Sequence, residues 1–419
     1  MLKKWITFGV LLLFLLMSFP TFSADTYKQD SSVISKGNVI IVDDEGDGDY
    51  TSIQEAVNNS NAGDIIEIYS GTYNEYNIVI SHPISIIGIP HELGVGNDTG
   101  KPVIKPPHFL NEFYHIMDVF STTVFSIGYC VFQAYNESDN NGLGIYLKNS
   151  HYCTVFNIDF KDMGAGISIW NCQNTVIQNN TINNADYGGI WWEPISYNNS
   201  ILNNTISNIG GNGIDMNLYL GPPFNCTIAK NRISNGLKDG IIVKGPGSIV
   251  TDNVIENCFN IGISSISISS LLHNHISNCS KGINVICSSS TIKENLIVDC
   301  TVGMKILCQG ENNIIENNEI RNSIIGMNID EPAVYSVNIT RNNFIQNKIQ
   351  TIFTAIYPLF CNSIWSENYW GKTLNHPKPL FGFGILLFSH SEYPIGLPVP
   401  WICFDMHPAQ EPYDIPGMN

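Results

Sequence analysis

Aromatic and charged side chains recur in one phase of the sequence, one or three positions after an isoleucine that follows a glycine. If that isoleucine points inward, the residues one and three positions later point outward and share one face. Aromatic rings on such a face suit the binding of sugars, and two carboxylates there could act as general acid and base. The candidate acid and base are Glu193 and Asp215, and the candidate substrate-binding residues are Trp170, Trp191, Asn217, Tyr219, Asp239 and Lys244.

Three interpretations of this face stay open. It could bind carbohydrate without transforming it, since clustered exposed aromatic residues indicate a partner. It could belong to a lyase, hydrolase or epimerase that uses Glu193 and Asp215. It could also be a solvated strip on a surface-structural or adhesion protein, with the contacts made by the C-terminal segment. Whether the protein is an enzyme is therefore left undecided by these residues.

An acidic run lies near the N-terminus, where residues 43–49 read Asp-Asp-Glu-Gly-Asp-Gly-Asp. Acids at alternate positions before a glycine resemble the first half of a calcium loop. The twelfth position would be Gln54 instead of glutamate, so an EF-hand does not match. A looser calcium site formed by Asp43, Glu45 and Asp47 and an acidic turn without metal are both compatible with the run.

An Asn-x-Ile unit recurs through the middle of the chain with a period of 21 to 27 residues. A Gly-Ile or Gly-Met pair follows each unit after eight or nine residues, and a second polar position follows after four. The leading positions are Asn180, Asn204, Asn231, Asn253, Asn274, Asn295, Asn318 and Asn343. The second positions are Asp162, Asn184, Asn208, Asn235, Asn257, Asn278, Asp299, Asn322 and Asn347.

Short stretches between these columns alternate apolar and polar residues, which is typical of strands. With two or three strands per repeat and no intervening helix, each coil can bury its apolar side chains only against its neighbours. The sequence therefore predicts an all-β protein, a right-handed parallel β-helix. Asparagine tolerates left-handed backbone conformations and bonds along stacked turns, so both polar columns are predicted to be turn ladders.

Two caps close the predicted solenoid. A capping box of Thr51 with Gln54, or of Ser52 with Glu55, begins a short helix that buries Ile53, Ala56 and Val57. The predicted organisation is a signal peptide at 1–24, an N-terminal cap and first coils at 38–107, β-helix repeats at 108–362 and a C-terminal cap or tail at 363–419.

Two segments resemble a known family. Residues 48–73 resemble the entry to the pectin-lyase-like superfamily, and residues 362–371 (Asn-Ser-Ile-Trp-Ser-Glu-Asn-Tyr-Trp-Gly) resemble the Asn-Tyr-Trp motif of NosD-like β-helices. The resemblance implies the fold but no reaction, since the superfamily hosts many activities. Neither the pectin methylesterase nor the polygalacturonase motifs are found. NosD-like proteins are associated with copper. Because His273 and His275 have no matching third ligand in the sequence, we expect both to be structural residues of a turn and not metal ligands.

The charge balance excludes one class of partner. Lys and Arg number 20 against 37 Asp and Glu, a formal charge of -17, which opposes nucleic-acid binding. Lys3 and Lys4 precede an apolar run, as in a signal peptide or an N-terminal anchor. We expect a secreted or cell-surface protein without a further membrane span, whose partner is a carbohydrate or another cell-surface component.

The 11 cysteines follow the repeat. Cys258, Cys279 and Cys300 occupy one phase of successive coils, which predicts an interior stack. Parallel side-chain directions oppose disulfide geometry, so mostly free thiols are expected.

Overall fold

The computed structural model describes residues 37–110, 112–135, 141–192, 195–216, 224–266, 269–332, 337–356, 363–388 and 395–415. The predicted signal peptide, residues 1–24, lies outside these ranges. Within them, no helix has the length and apolar character needed to cross a bilayer.

The predicted fold class is confirmed. Three sheets of 14, 14 and 12 strands, parallel except for the last pair of one 14-stranded sheet, form a right-handed parallel β-helix of about 12 turns. Sheet 1 contains β1 (Val39–Val42), β2 (Ile65–Ile68), β5 (Ser85–Gly88), β8 (Ser126–Gly128), β11 (Thr154–Phe156), β14 (Val176–Gln178), β17 (Ser200–Leu202), β20 (Thr227–Ala229), β23 (Ser248–Thr251), β26 (Ser269–Leu272), β29 (Thr291–Lys293), β32 (Asn313–Glu316), β35 (Val337–Thr340) and β38 (Ile364–Ser366).

The other two sheets follow the same winding order. Sheet 2 contains β4 (Ile78–Ile80), β7 (Tyr114–Phe120), β10 (Gly142–Lys148), β13 (Ala165–Trp170), β16 (Gly188–Trp192), β19 (Asn212–Met216), β22 (Ile241–Val243), β25 (Ile261–Ser265), β28 (Lys281–Cys287), β31 (Val302–Cys308), β34 (Ile325–Pro332), β37 (Ile349–Ile356), β39 (Lys378–Phe388) and β40 (Ile395–Asp405). Sheet 3 contains β3 (Thr72–Tyr73), β6 (Val103–Ile104), β9 (Val131–Gln133), β12 (Asp159–Lys161), β15 (Thr181–Ala185), β18 (Thr205–Ile209), β21 (Arg232–Gly236), β24 (Val254–Glu256), β27 (His275–Ser277), β30 (Leu296–Val298), β33 (Glu319–Arg321) and β36 (Asn343–Ile345).

The repeated Gly-Ile pair serves the interior of the solenoid. Ile190 and Ile214 are register partners in sheet 2, and both are fully buried, as predicted. A Cβ atom on Gly189 would lie 2.4 Å from the carbonyl oxygen of Gly213 and 2.7 Å from a methyl carbon of Ile206. Glycine is therefore required where successive coils approach each other most closely.

A ladder of buried asparagines joins the coils. The Oδ1 atom of Asn204 accepts hydrogen bonds from the backbone N–H of Asn180 (2.9 Å) and from its side-chain amide (3.0 Å), while Asn204 donates to the carbonyl of Ile177 (3.0 Å). The same exchange is repeated coil after coil at side chains that are at most 1% exposed. This inner ladder consists of Asn180, Asn204, Asn231, Asn253, Asn274, Asn295, Asn318, Asn342 and Asn368.

The second polar column forms an exposed outer ladder in which the backbone is left-handed. Asn257 has φ 56° and donates to Asn235 at 3.3 Å, while Asn278 donates to Asn257 at 2.7 Å. At the last repeat the predicted leading Asn343 and second Asn347 are wrong by one position. Asn342 bonds to Asn318, and Gln346 has the left-handed backbone. Phe344 takes the strand position that isoleucine holds in the preceding repeat, so the Asn-x-Ile pattern matches Asn343 instead of Asn342.

The N-terminal cap contains the predicted helix, α1 (Ile53–Asn59). Its N-cap is Ser52, whose hydroxyl accepts from the N–H of Glu55 at 3.2 Å. The carboxylate of Glu75, which the sequence did not indicate, accepts from the N–H groups of Ile53 (2.7 Å) and Gln54 (3.0 Å). Ile53, Ala56 and Val57 are buried, as expected for a helix that closes the end of a solenoid.

At the other end, the C-terminal residues leave the repeat. Strands β39 and β40 form an antiparallel hairpin on the edge of sheet 2. The buried carboxylate of Asp405 accepts from the backbone N–H and side-chain amide of Asn368 and from Nε1 of Trp370, at 3.0, 3.1 and 3.1 Å. The inner ladder therefore ends on a residue of the hairpin.

Cys130, Cys153, Cys172, Cys226, Cys258, Cys279 and Cys300 form no disulfide bond, and all seven are buried. Cys287 and Cys308 are register partners on neighbouring strands. Cys258, Cys279 and Cys300, for which the sequence predicted an interior stack, are all buried.

The two ladders should differ in their contribution to stability. In an Asn295→Ala variant the N–H of Asn274 and the carbonyl of Leu271 lose buried partners, each at a cost of about 1–3 kcal/mol. In an Asn257→Gly variant only exposed bonds are lost and glycine accepts the left-handed backbone, so we expect a change within about 1 kcal/mol. Urea unfolding of both variants measures the difference, and equal midpoints would contradict it.

Candidate functional site

The outer face of sheet 2 carries one residue per coil in a continuous row, which we call the outer column. Parallel strands put successive members about 4.8 Å apart. Trp191 on β16 and Asp215 on β19 are register partners, so the predicted neighbours are adjacent. The column runs through Asp118, Tyr146, Ser168, Trp191, Asp215, Ile242, Ser264, Asn284, Lys305 and Asn328.

Trp191 and Asp215 form the centre of this column. Both are half-buried. A Cβ atom on Gly188 would lie 2.6 Å from Nε1 of Trp191, so the indole lies back over a residue that must be small. Oδ2 of Asp215 accepts from Nδ2 of Asn212 at 2.8 Å, whereas its buried Oδ1 finds no partner among the described residues. The centre therefore offers a ring and an acceptor oxygen side by side.

Asp239 lies in the turn before β22, and Asn212 links it to the column. The backbone N–H of Asp239 donates to Oδ1 of Asn212 at 3.1 Å, and Oδ1 of Asp239 accepts from Asn260 at 2.6 Å and from the N–H of Ile261 at 3.2 Å. Burial raises the pKa of Asp239, and the negative charge of Asp215 raises it further. The hydrogen bonds from Ile261 and Asn260 and the charge of Lys281 oppose this rise in pKa.

The remaining predicted face residues are placed less centrally. Trp170 is the last residue of β13. The ammonium of Lys148 lies 5.5 Å from the centroid of the Trp170 ring and partly covers one face of that ring. Lys244 is half-buried directly after β22. Glu193, Asn217 and Tyr219 lie outside the described residues.

Sequence reasoning missed a polar cluster nearer the N-terminal end of the same column. Nδ1 of His115 lies 2.5 Å from Oδ1 of Asp118, and the imidazole packs against Tyr146 with ring centroids 5.2 Å apart. Asp118 is 9% exposed. Tyr146 follows Ile145 as Ser168 follows Ile167, so extending the outward rule to the weaker early repeats would have found Tyr146 and its register partner Asp118.

The acidic run forms a tight turn after β1. Carboxylate oxygens of Asp43, Glu45 and Glu92 lie within 4.8 Å of one another. A hydrogen bond with Asp44 is the largest cause that raises the pKa of Glu45 to about 7, followed by partial desolvation and the negative charges of Asp44, Glu92 and Asp98. Asp47, which the sequence grouped with Asp43 and Glu45, instead accepts from the N–H of Val95 at 2.6 Å.

The two histidines of the repeat are turn and strand residues. His273 has φ 52° and contacts the carboxylate of Glu294, with Asp252 at 4.0 Å on its other side. Burial lowers the pKa of His275. These contacts agree with the structural role predicted for both side chains.

Two family models match the repeats. The right-handed β-helix region matches residues 115–219, and the periplasmic copper-binding protein (NosD) model matches residues 203–335. No curated protein sequence matches the chain.

Solved structures share the architecture at low sequence identity. The catalytic unit of a GH87 α-1,3-glucanase from Streptomyces thermodiastaticus has a TM-score of 0.57 and 13% identity over 72% of this chain and 63% of its own length. The A-module of the Azotobacter vinelandii mannuronan C-5 epimerase AlgE6 has a TM-score of 0.47 and 9% identity, over 76% of this chain and 89% of its own length. The Streptococcus pneumoniae surface adhesin PfbA has a TM-score of 0.45 and 12% identity, over 86% of this chain and 95% of its own length. At these identities the likeness shows the fold alone.

The copper in the name of the NosD family does not fit the donor groups of the described residues. Copper favours imidazole and sulfur ligands. Among the described residues, His, Cys, Asp and Glu donors come together in threes only in two carboxylate groups near the N-terminus. The described cysteines other than Cys403 are buried, and His273 already contacts Glu294.

The raised pKa of Asp239 predicts a pH effect on stability. A native state that favours the protonated carboxyl gains stability at low pH, and loses it as the pH rises through the raised pKa. The ordinary pKa of aspartate is about 4. As the pH rises from about 4 to neutral, we expect the Asp239→Asn variant to lose less thermal stability than the wild type. Thermal unfolding against pH measures this, with exposed Asp299→Asn as the control. Parallel curves for the wild type and Asp239→Asn would contradict it.

Proposed function

We propose that this chain, a NosD-like right-handed parallel β-helix protein, binds a neutral carbohydrate chain along the outer column of sheet 2. The observation that carries the proposal is the pairing of Trp191 with Asp215 on neighbouring strands, beside the Asn212 and Asp239 network. An extended ligand lying across the strands would meet successive members of this column.

The chemistry of the central group suits a sugar ring. The apolar face of a pyranose packs on an indole, and its hydroxyl groups donate to carboxylates. Oδ1 of Asp215 is buried and has no partner among the described residues, so a rotation of this side chain that brings Oδ1 to a ligand hydroxyl would remove an unfavourable buried acceptor. Asn212, Asn260 and Ile261 fix the orientation of the two carboxylates before the ligand arrives.

Charge favours a neutral ligand over an acidic one. The chain carries a formal charge of -17, and the centre of the column includes Asp215 and the nearby Asp239. A polyanion would be repelled by this field unless cations intervened. A secreted or cell-surface location would bring such a face to glycans. The N-terminal signal-like sequence and the periplasmic description of the matching family support that location.

Removing the indole should weaken binding. We expect Trp191→Ala to raise the dissociation constant for neutral oligosaccharides at least about tenfold, because buried aromatic contacts of this kind are worth roughly 1.5–3 kcal/mol. Phe381→Ala is the matched control, since Phe381 is 63% exposed on β39 of the same sheet. A glycan array followed by calorimetry makes the measurement. Absence of binding across neutral glycans, or an equal loss in both variants, would contradict the proposal and favour a surface-structural role.

A second candidate function is glycoside hydrolysis at the same place. Burial raises the pKa of Asp239, the direction that a general acid requires, and a second carboxylate, Asp215, lies close enough for its charge to raise that pKa further. In such a pair Asp239 would protonate the glycosidic oxygen, and Asp215 would activate water or attack the anomeric carbon. Asp239 thus takes the acid role for which the sequence suggested Glu193.

Hydrolysis and binding separate in conservative variants. If the protein is a hydrolase, Asp215→Asn and Asp239→Asn should each lower the release of reducing ends at least about a hundredfold, the lower range of general acid–base contributions, while glycan binding persists. Reducing-end assays on the glycans that bind test this, with Asp299→Asn as the control. Binding without cleavage by the wild type, or full activity in both variants, would exclude this pair.

A further inference from the structure

We propose that the N-terminal cap holds a Ca²⁺ ion between two loops, residues 43–49 and 91–99. The ligands are carboxylate oxygens of Asp43, Glu45 and Glu92, with Asp44 and Asp98 in the adjoining group. This site lies apart from the outer column and is independent of carbohydrate binding.

Asp43 gives the strongest indication of a cation site. Its side chain is fully buried. Oδ2 accepts from the N–H groups of Gly46 (3.1 Å) and Asp47 (3.0 Å), but the buried Oδ1 finds no partner among the described residues. A buried carboxylate oxygen without a partner is costly, and carboxylates of Glu45 and Glu92 beside it can only repel its charge. A bound cation removes both penalties.

The carboxylates form two groups that share one member. Oxygens of Asp43, Glu45 and Glu92 lie within 4.8 Å of one another, and so do oxygens of Asp44, Glu45 and Asp98. The buried Oδ1 of Asp44 also has no partner among the described residues. Four carboxylates therefore converge on Glu45, although Glu92 and Asp98 come from a loop more than 40 residues further along the chain.

Glycines make room for these carboxylates. A Cβ atom on Gly71 would lie 1.9 Å from Oδ1 of Asp44, and one on Gly96 would lie 2.5 Å from Oε2 of Glu92. Any other residue at either position would displace the carboxylate. The backbone around the cluster is thus compatible with inward-facing acids, which a merely solvated acidic turn does not require.

Backbone amides hold the two loops in place. The N–H of Val95 donates to Asp47 at 2.6 Å, and the N–H of Asp98 donates to Oε2 of Glu92 at 3.0 Å. Asp47 therefore joins the loops through hydrogen bonding, while Asp43, Glu45 and Glu92 present the oxygens. A site ordered in this way loses little conformational freedom when the ion enters.

The donor set selects the type of ion. All the converging atoms are carboxylate oxygens, which suit hard cations and not copper or zinc. Calcium accepts six to eight oxygens in irregular geometry, whereas Mg²⁺ requires a near-ideal octahedron. Exposed Glu45 and Asp98 leave space for water molecules to complete the shell. The bound ion would fasten the 91–99 loop to the turn after β1 at the N-terminal end of the solenoid.

Calcium titration of the chelator-treated protein by calorimetry tests the site, without any glycan. We expect saturable binding by the wild type, an affinity at least about tenfold lower in Glu92→Gln, and unchanged affinity in Glu55→Gln. Glu55 is exposed on α1 and belongs to neither carboxylate group. Glu55→Gln therefore removes the same charge as Glu92→Gln but outside the proposed site. Thermal unfolding should show a higher Tm with Ca²⁺ than with chelator in the wild type, and a smaller rise in Glu92→Gln.

Two outcomes would overturn the site: no calcium binding by folded wild-type protein, or the same affinity in Glu92→Gln as in the wild type. Equal affinity for Mg²⁺ would overturn the assignment to calcium. Asp43→Asn removes a buried residue and could unfold the cap, so the partly exposed Glu92 and the exposed Asp98 provide the deciding variants. Asp98→Asn is expected to weaken binding in the same direction as Glu92→Gln.

Discussion

The structure depends on the hydrogen-bond exchange between asparagines of successive coils. Each inner-ladder residue supplies one acceptor to two donors of the preceding coil and returns its own amide to a backbone carbonyl of that coil. These bonds satisfy polar groups at a bend where the backbone turns inside the protein, a place where an unpaired amide would be costly. Because each bond needs the next coil at a fixed height, the ladder sets the register from which the rows of isoleucine, glycine and outward residues follow.

That register also brings together the residues of the candidate site. Trp191 and Asp215 are 24 residues apart in sequence, yet the coil length brings them next to each other on neighbouring strands. Asn212 reaches both Asp215 and the backbone of Asp239 for the same reason. Long-range contacts in a solenoid are contacts between adjacent repeats, so site chemistry is composed one coil at a time.

Most of the architecture could be predicted because the repeat encodes it locally. The asparagine spacing indicated the ladder, the Gly-Ile pair indicated the inward isoleucine, and the two alternative capping boxes at Thr51 and Ser52 placed the start of α1 to within one residue. What the sequence could not show was chemistry assembled outside the regular pattern. Glu75 caps the helix and Glu92 meets Asp43 across loops of irregular length, while Asp239 owes its raised pKa to burial that no spacing reveals. The inner-ladder residue Asn342 was misplaced by one position, because Phe344 replaces the usual isoleucine and only Asn343 fits the Asn-x-Ile pattern.

The residue that ends the ladder differs from all the others in one respect. Every asparagine inside the inner ladder both donates and accepts hydrogen bonds, so the ladder joins a coil to its neighbours in the same way wherever that coil lies in the stack. Asp405 only accepts hydrogen bonds, from Asn368 and from Trp370. A carboxylate has no amide to donate to the next coil, so the ladder stops at this residue. The solenoid therefore has interchangeable middle sections and a fixed terminator. Its number of coils, and hence the length of the face on sheet 2, is a quantity that whole-repeat insertion or deletion can adjust without redesigning either end.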